Sequence, residues 1–141
     1  MIDNEALARR AVACPAWRWM RGMRANVDVA FWHEFSEELT IHHADDDGIW
    51  WVARNGFTGG PGARYQNFPP CLPDLTDPAT LGCMLALVRE AWEDAELEPA
   101  ADALTPVWRA LEEWVCGGEL LPLLRALVAA LEAAPSREVK S

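Results

Sequence analysis

The chain has 141 residues, 51% hydrophobic and 24% charged, a balance that excludes intrinsic disorder and suits one globular domain. Its formal net charge of −10, from 22 acidic against 12 basic residues, argues against nonspecific binding of nucleic acid or of an anionic membrane, both of which need a cationic footprint. The most apolar run, Leu120 to Leu131, is broken by Pro122 and Arg125, too short for the roughly 20 residues of a membrane span.

A first helix is expected over residues 4–13, with Asp3 as N-cap and Ile2 and Leu7 placed for a hydrophobic staple; Pro15 ends it. Asp3 and Glu5, followed by Arg9 and Arg10, are not the basic-then-apolar start of a signal peptide, so a cytoplasmic location is expected. Residues 16–26 mix Trp17, Trp19, Met20 and Met23 with arginines, and Gly22 interrupts any regular element. Val27, Val29, Phe31 and Phe35 then alternate with other residues, the period of a strand. Residues 39–43 and 49–54 flank Ala44-Asp45-Asp46-Asp47-Gly48, which reads as a hairpin whose second strand carries Ile49-Trp50-Trp51-Val52.

Residues 55–75 hold four glycines and four prolines and are expected to form a long irregular loop, the kind of segment that often carries a binding surface or a lid. Asp77 and Pro78 next open a clear helix, with Leu81, Met84, Leu85, Val88 and Trp92 on one face. Gly82 inside it costs about 1 kcal/mol relative to alanine, which points to a close backbone neighbour. Residues 93–102 read as an acidic linker, and Thr105-Pro106 as the cap and first residue of a helix ending at Gly117. A last helix is expected over residues 119–133, with Leu120, Leu124, Leu127, Val128 and Leu131 as its stripe. The expectation is one α+β domain over residues 1–135, with about four helices packed on an antiparallel sheet of about three strands. Residues 136–141 are expected to be a disordered tail.

The charge is uneven. Residues 1–27 carry five arginines against two acids, whereas residues 28–54 and 76–105 each carry seven acids against one arginine. Such a body suits a basic partner, including a nucleic-acid-binding protein whose groove it would block; solubility is the simpler reading. Cys14, Cys71, Cys83 and Cys116 show neither a CxxC pair nor zinc spacing, and Cys83 and Cys116 lie in apolar helical patterns as small hydrophobes.

Residues 72–92, Leu-Pro-Asp-Leu-Thr-Asp-Pro-Ala-Thr-Leu-Gly-Cys-Met-Leu-Ala-Leu-Val-Arg-Glu-Ala-Trp, resemble a segment of a family of small phage and prophage proteins. Residues 10–23, Arg-Ala-Val-Ala-Cys-Pro-Ala-Trp-Arg-Trp-Met-Arg-Gly-Met, and residues 126–135, Ala-Leu-Val-Ala-Ala-Leu-Glu-Ala-Ala-Pro, add weaker support. These stretches cover about a third of the chain and leave out residues 28–71. The expected architecture also looks like phage domains that layer helices against a small antiparallel sheet. The resemblance implies an origin as a phage or mobile-element accessory gene, and carries no catalytic residues with it.

Three constellations carry the functional reading. All three histidines, His33, His42 and His43, fall near Asp45, Asp46 and Asp47, ligand types suited to zinc, manganese or iron. Adjacent His42 and His43 on a regular strand face opposite ways, and hairpin turns collect aspartates in any case, so no metal site is assigned. Gly56-Phe-Thr-Gly-Gly-Pro-Gly-Ala-Arg64 lacks the endings of a phosphate-binding loop. Arg54, Arg64 and Tyr65 remain the loop-borne candidates for binding, the arginines for an anion.

The third constellation is tryptophan, present eight times. Trp92, Trp108 and Trp114 fit helix core stripes. Of the adjacent pair Trp50 and Trp51, one faces the core and the other the opposite surface. Trp17 and Trp19 lie among arginines, and exposed Trp and Arg are enriched at binding hot spots. Core filling and an interaction surface of Trp17, Trp19, Arg21 and one of Trp50 or Trp51 both stay open. No nucleophile with a visible activating base is present, and no cofactor is indicated. The expected function is a phage or prophage accessory protein that binds a host or phage protein, with inhibition of a host defence system as one role. A small metal-dependent hydrolase and a small-anion-binding protein are the alternatives.

Overall fold

A computed structural model describes residues 2–27, 38–45, 48–53, 58–59 and 71–135. Among these the chain is α+β, with four helices and a five-stranded antiparallel sheet in the order β4-β3-β2-β1-β5. The elements are α1 (Ile2–Val12), β1 (Arg24–Val27), β2 (Glu38–Asp45), β3 (Gly48–Ala53), β4 (Thr58–Gly59), β5 (Cys71–Pro73), α2 (Pro78–Trp92), α3 (Leu97–Val115) and α4 (Leu121–Ala133). They fall into two compact units. Residues 19–83 form a sheet unit, and residues 1–18 with 84–141 form a helical one.

In the sheet unit, the alternation in β2 and β3 sorts side chains onto two faces. Ala25 pairs with Leu39, and Ile41 with Trp51, and all four are buried, with Met23 beside them. The opposite face carries Arg24 against Thr40 and Thr40 against Val52. The expected hairpin is present, its strands paired as far as Asp45 with Gly48. The expected three strands become five because β4 and β5 lie inside the segment read as a loop. With two and three residues they are too short to show alternation. Both are edge strands, where Pro73 removes no ladder donor that a neighbour needs. The strand expected over residues 27–35 is described only at Val27, the end of β1; its remainder lies outside the described residues.

Asp77 and Pro78 start α2 as read from sequence: Asp77 accepts a bond from the Thr80 amide at 3.0 Å. Thr80 is fully buried, and its hydroxyl accepts from the Arg24 amide at 2.8 Å, tying the start of α2 to β1. Gly82 departs from expectation. It is exposed, and a Cβ built there meets nothing within 4 Å. Gly82→Ala should therefore raise stability by about 0.5–1 kcal/mol, through the entropy that glycine loses on entering a helix. Urea unfolding checks this, and a lower midpoint would show that the position does require glycine.

In the helical unit, α4 packs against both α1 and α3. Leu123, Leu124, Leu127, Val128, Ala130 and Leu131 of α4 are buried, with Leu7, Ala8 and Ala11 of α1. Arg10 holds Glu132 through two hydrogen bonds, Nε to Oε2 at 3.0 Å and Nη2 to Oε1 at 2.5 Å, and this pairing lowers the Glu132 carboxyl from its ordinary range. Helix α1 begins at Ile2, so Asp3 lies within its first turn and does not cap it.

Helix α3 begins at Leu97, well before the Thr105-Pro106 start expected from sequence, and the segment read as a linker is largely helical. The residues Leu97-Glu98-Pro99-Ala100-Ala101 favour this. Leucine, glutamate and alanine are strong helix formers, and Pro99 sits in the first turn, where no amide donor is required. Pro106 is thus internal. The helix ends as expected at Gly117, whose φ of +102° lets the Gly118 amide reach the Glu113 carbonyl at 2.8 Å and its own amide reach Trp114 at 3.0 Å.

Candidate functional site

The structure divides the residues singled out in the sequence. Trp51 is 2% exposed and belongs to the core of the sheet unit, so it leaves the candidate surface. Its indole lies against the backbone of β4: a Cβ added to Gly59 would stand 2.6 Å from Trp51 Cε2. Trp50 takes the opposite face, half-buried, with its ring 4.9 Å from that of the paired His43 and tilted by 52°. The turn before β1 carries half-buried Trp19 and exposed Arg21. The Gly22 amide donates to Ile41 at 2.8 Å, which sets this turn beside β2. It therefore lies at the same end of the sheet as Trp50, about two strand spacings (~10 Å) away. Trp17 is half-buried and falls in the helical unit. Arg54, Arg64 and Tyr65 lie outside the described residues.

The register between β2 and β3 shifts between Ile41 and His43, so His42 is the extra residue of a β-bulge. Ile41 is buried while His42 and His43 are both exposed, so the pair shares the outer face, contrary to strict alternation. Among the described residues no group of three or more His, Cys, Asp or Glu is placed to hold a metal ion. His33, Asp46 and Asp47 lie outside them.

The cysteines are not poised as nucleophiles at two positions. The Cys14 thiol donates to the Arg10 carbonyl at 3.2 Å and the Cys83 thiol to the Arg21 carbonyl at 3.6 Å. Burial pushes the pKa of both thiols up, away from the reactive thiolate. Cys116, expected to be a buried hydrophobe, is exposed at the C-cap of α3.

The large hydrophobic side chains left exposed among the described residues all lie on α3, where the sequence predicts a linker at Leu97 and a core position at Trp108. Leu97 is 86% exposed, Val115 72% and Trp108 44%. At 100° per residue, positions 97, 108 and 115 fall within about 20° of one line along the helix. Exposed Ala101 and half-buried Leu104 and Leu111 lie within about 40° of it. The side that packs in the helical unit is different and smaller: Val107 and Ala110 are buried, with Ala100, Ala103 and Trp114 half-buried. Helix α3 therefore buries only Val107 and Ala110 fully and leaves Leu97, Trp108 and Val115 outward. Trp108 is one residue past Val107, about 100° round the helix, and so is a surface residue and not the core residue expected.

No protein-family model matches the chain, and neither a curated relative nor a solved structure matches it. None of the helices of the described residues is long and apolar enough to cross a membrane.

Proposed function

We propose that this is a phage or prophage accessory protein that acts by contact, binding a host or phage protein, with a component of a host defence complex as the target class. One observation carries the contact reading: the line of Leu97, Trp108 and Val115 along α3, large apolar side chains left to solvent by a helix that buries only Val107 and Ala110. Isolated exposed apolar residues are ordinary, but a continuous apolar line on one helix marks an interaction surface. Tryptophan at its centre is the residue type that dominates binding energy when a partner desolvates it. Trp50, half-buried with its ring tilted against that of His43 on the outer face of the sheet, is a further aromatic contact.

Co-elution with purified defence nuclease complexes tests the reading. The wild-type chain should elute with one of them, and Leu97→Ser with Val115→Ser should weaken that association at least about tenfold. Because both side chains are mostly exposed, the double variant should keep its far-UV circular dichroism and lose no more than about 0.5 kcal/mol of stability. Elution of the wild type alone with every candidate would overturn the proposal.

A further inference from the structure

We infer that the partner segment seated on α3 is a cationic amphipathic helix. This rests on the reading of α3 as a contact surface and adds the chemistry of what it takes. Leu97, Ala101, Leu104, Trp108, Leu111 and Val115 are spaced by alternate steps of four and three residues. That is the spacing of a coiled-coil seam, held here for about 27 Å of helix. A seam of this kind accepts another helix, whose side chains insert between its own.

The two flanks of the seam differ. One flank, Ala100, Val107 and Trp114, is taken up within the helical unit. The free flank carries Glu98, Thr105 and Glu112, all exposed. Flanking charges set partner choice and orientation in paired helices. A second copy docked antiparallel would bring Glu98 and Glu112 against the same two glutamates, so like charges oppose self-pairing. An anionic bilayer meets the same repulsion. Lysine or arginine on the incoming helix relieves it, and the chain's net charge of −10 speeds encounter with a cationic partner. A solvated helix surface needs no apolar seam, and a membrane-surface helix carries basic flanks, not acidic ones.

The test uses the full chain as bait for a display library of three-heptad helical peptides. Leucine is fixed at the seam positions, and Lys, Arg, Glu or Gln varies at the flanks. Lys and Arg should be enriched at least about tenfold over Glu on the flank facing α3, and Glu98→Lys with Glu112→Lys should reverse the preference. Binding of selected peptides should fall as salt rises and be lost with Leu97→Ser and Val115→Ser. Flanks without preference, in peptides that still need Leu97 and Val115, would overturn the cationic partner and leave the contact surface standing. A dimer in sedimentation that the serine pair abolishes would do the same. Failure to select any peptide sensitive to the serine pair would overturn both.

Discussion

Trp51→Ala should destabilise the protein by about 3–5 kcal/mol, while Trp50→Ala, one residue away, should cost less than about 1 kcal/mol. The difference follows from which face of β3 each side chain takes. Trp51 is fully enclosed, paired with buried Ile41, and covered at the sheet edge by the backbone of Gly59. Removing its indole leaves a cavity that Leu39, Ile41 and Met23 cannot refill, because each is already buried in the same core. Trp50 keeps part of its surface in water and meets His43 in a tilted ring contact, a pair that contributes a fraction of what burial does. Gly59→Ala probes the same contact from the other side: the new methyl would collide with the indole, and overpacking of this kind costs about 1–3 kcal/mol. Urea unfolding of the three variants checks the ranking. Equal losses for Trp50→Ala and Trp51→Ala would sink the assignment of the two faces. Should Trp51→Ala fail to fold, Trp51→Phe should still fall between the two.

The opposite destinations of Trp50 and Trp51 were legible in the sequence as a consequence of strand alternation, though not which ring went inward. Helix α2 was readable because its signals agree: the Asp77-Pro78 start, then Leu81, Met84, Leu85, Val88 and Trp92 at helical spacing, all buried but the half-buried Leu85. Helix α3 was misread for a physical reason. Its apolar positions form two adjacent seams, and a helical period reveals an apolar arc without saying which edge of it the fold covers. Thr105-Pro106 also imitates a cap, although the stretch before it is strongly helix-forming. The bulge at His42 was equally out of reach, since an extra residue in one strand is fixed by pairing with the other. Strands β4 and β5 are recognisable only through their partners β3 and β1.

The sequence puts forward tryptophans among arginines, whereas the exposed hydrophobic line lies in a helix whose tryptophans fit a core stripe. Exposure, not composition, separates the two kinds of tryptophan. Trp92 at 8% exposed and Trp108 at 44% are both apolar positions in helical stripes, and only the neighbouring helices distinguish them.

Trp92→Phe should cost about 1–3 kcal/mol and Trp92→Ala about 3–5 kcal/mol, whereas Trp108→Ser should stay within about 1 kcal/mol. Trp92 ends α2 with its indole Nε1–H donating to the Ala130 carbonyl at 2.9 Å, a buried bond. Ala130 lies in the last turn of α4, where carbonyls have no amide donor from their own helix, so the indole supplies the missing partner. Phenylalanine keeps most of the apolar volume and removes that donor, leaving a buried carbonyl unsatisfied. Alanine also removes the buried ring and opens a cavity in its place. Because α4 is the helix on which α3 packs, loss of Trp92 should weaken partner binding only in step with unfolding, while loss of Trp108 should weaken binding in a protein that unfolds at its normal denaturant concentration. Binding titrations and urea midpoints measured on the same variants separate the two roles. A Trp108→Ser protein that binds as tightly as the wild type would remove tryptophan from the contact surface, and a Trp92→Phe protein of unchanged stability would show that the α4 carbonyl finds another donor.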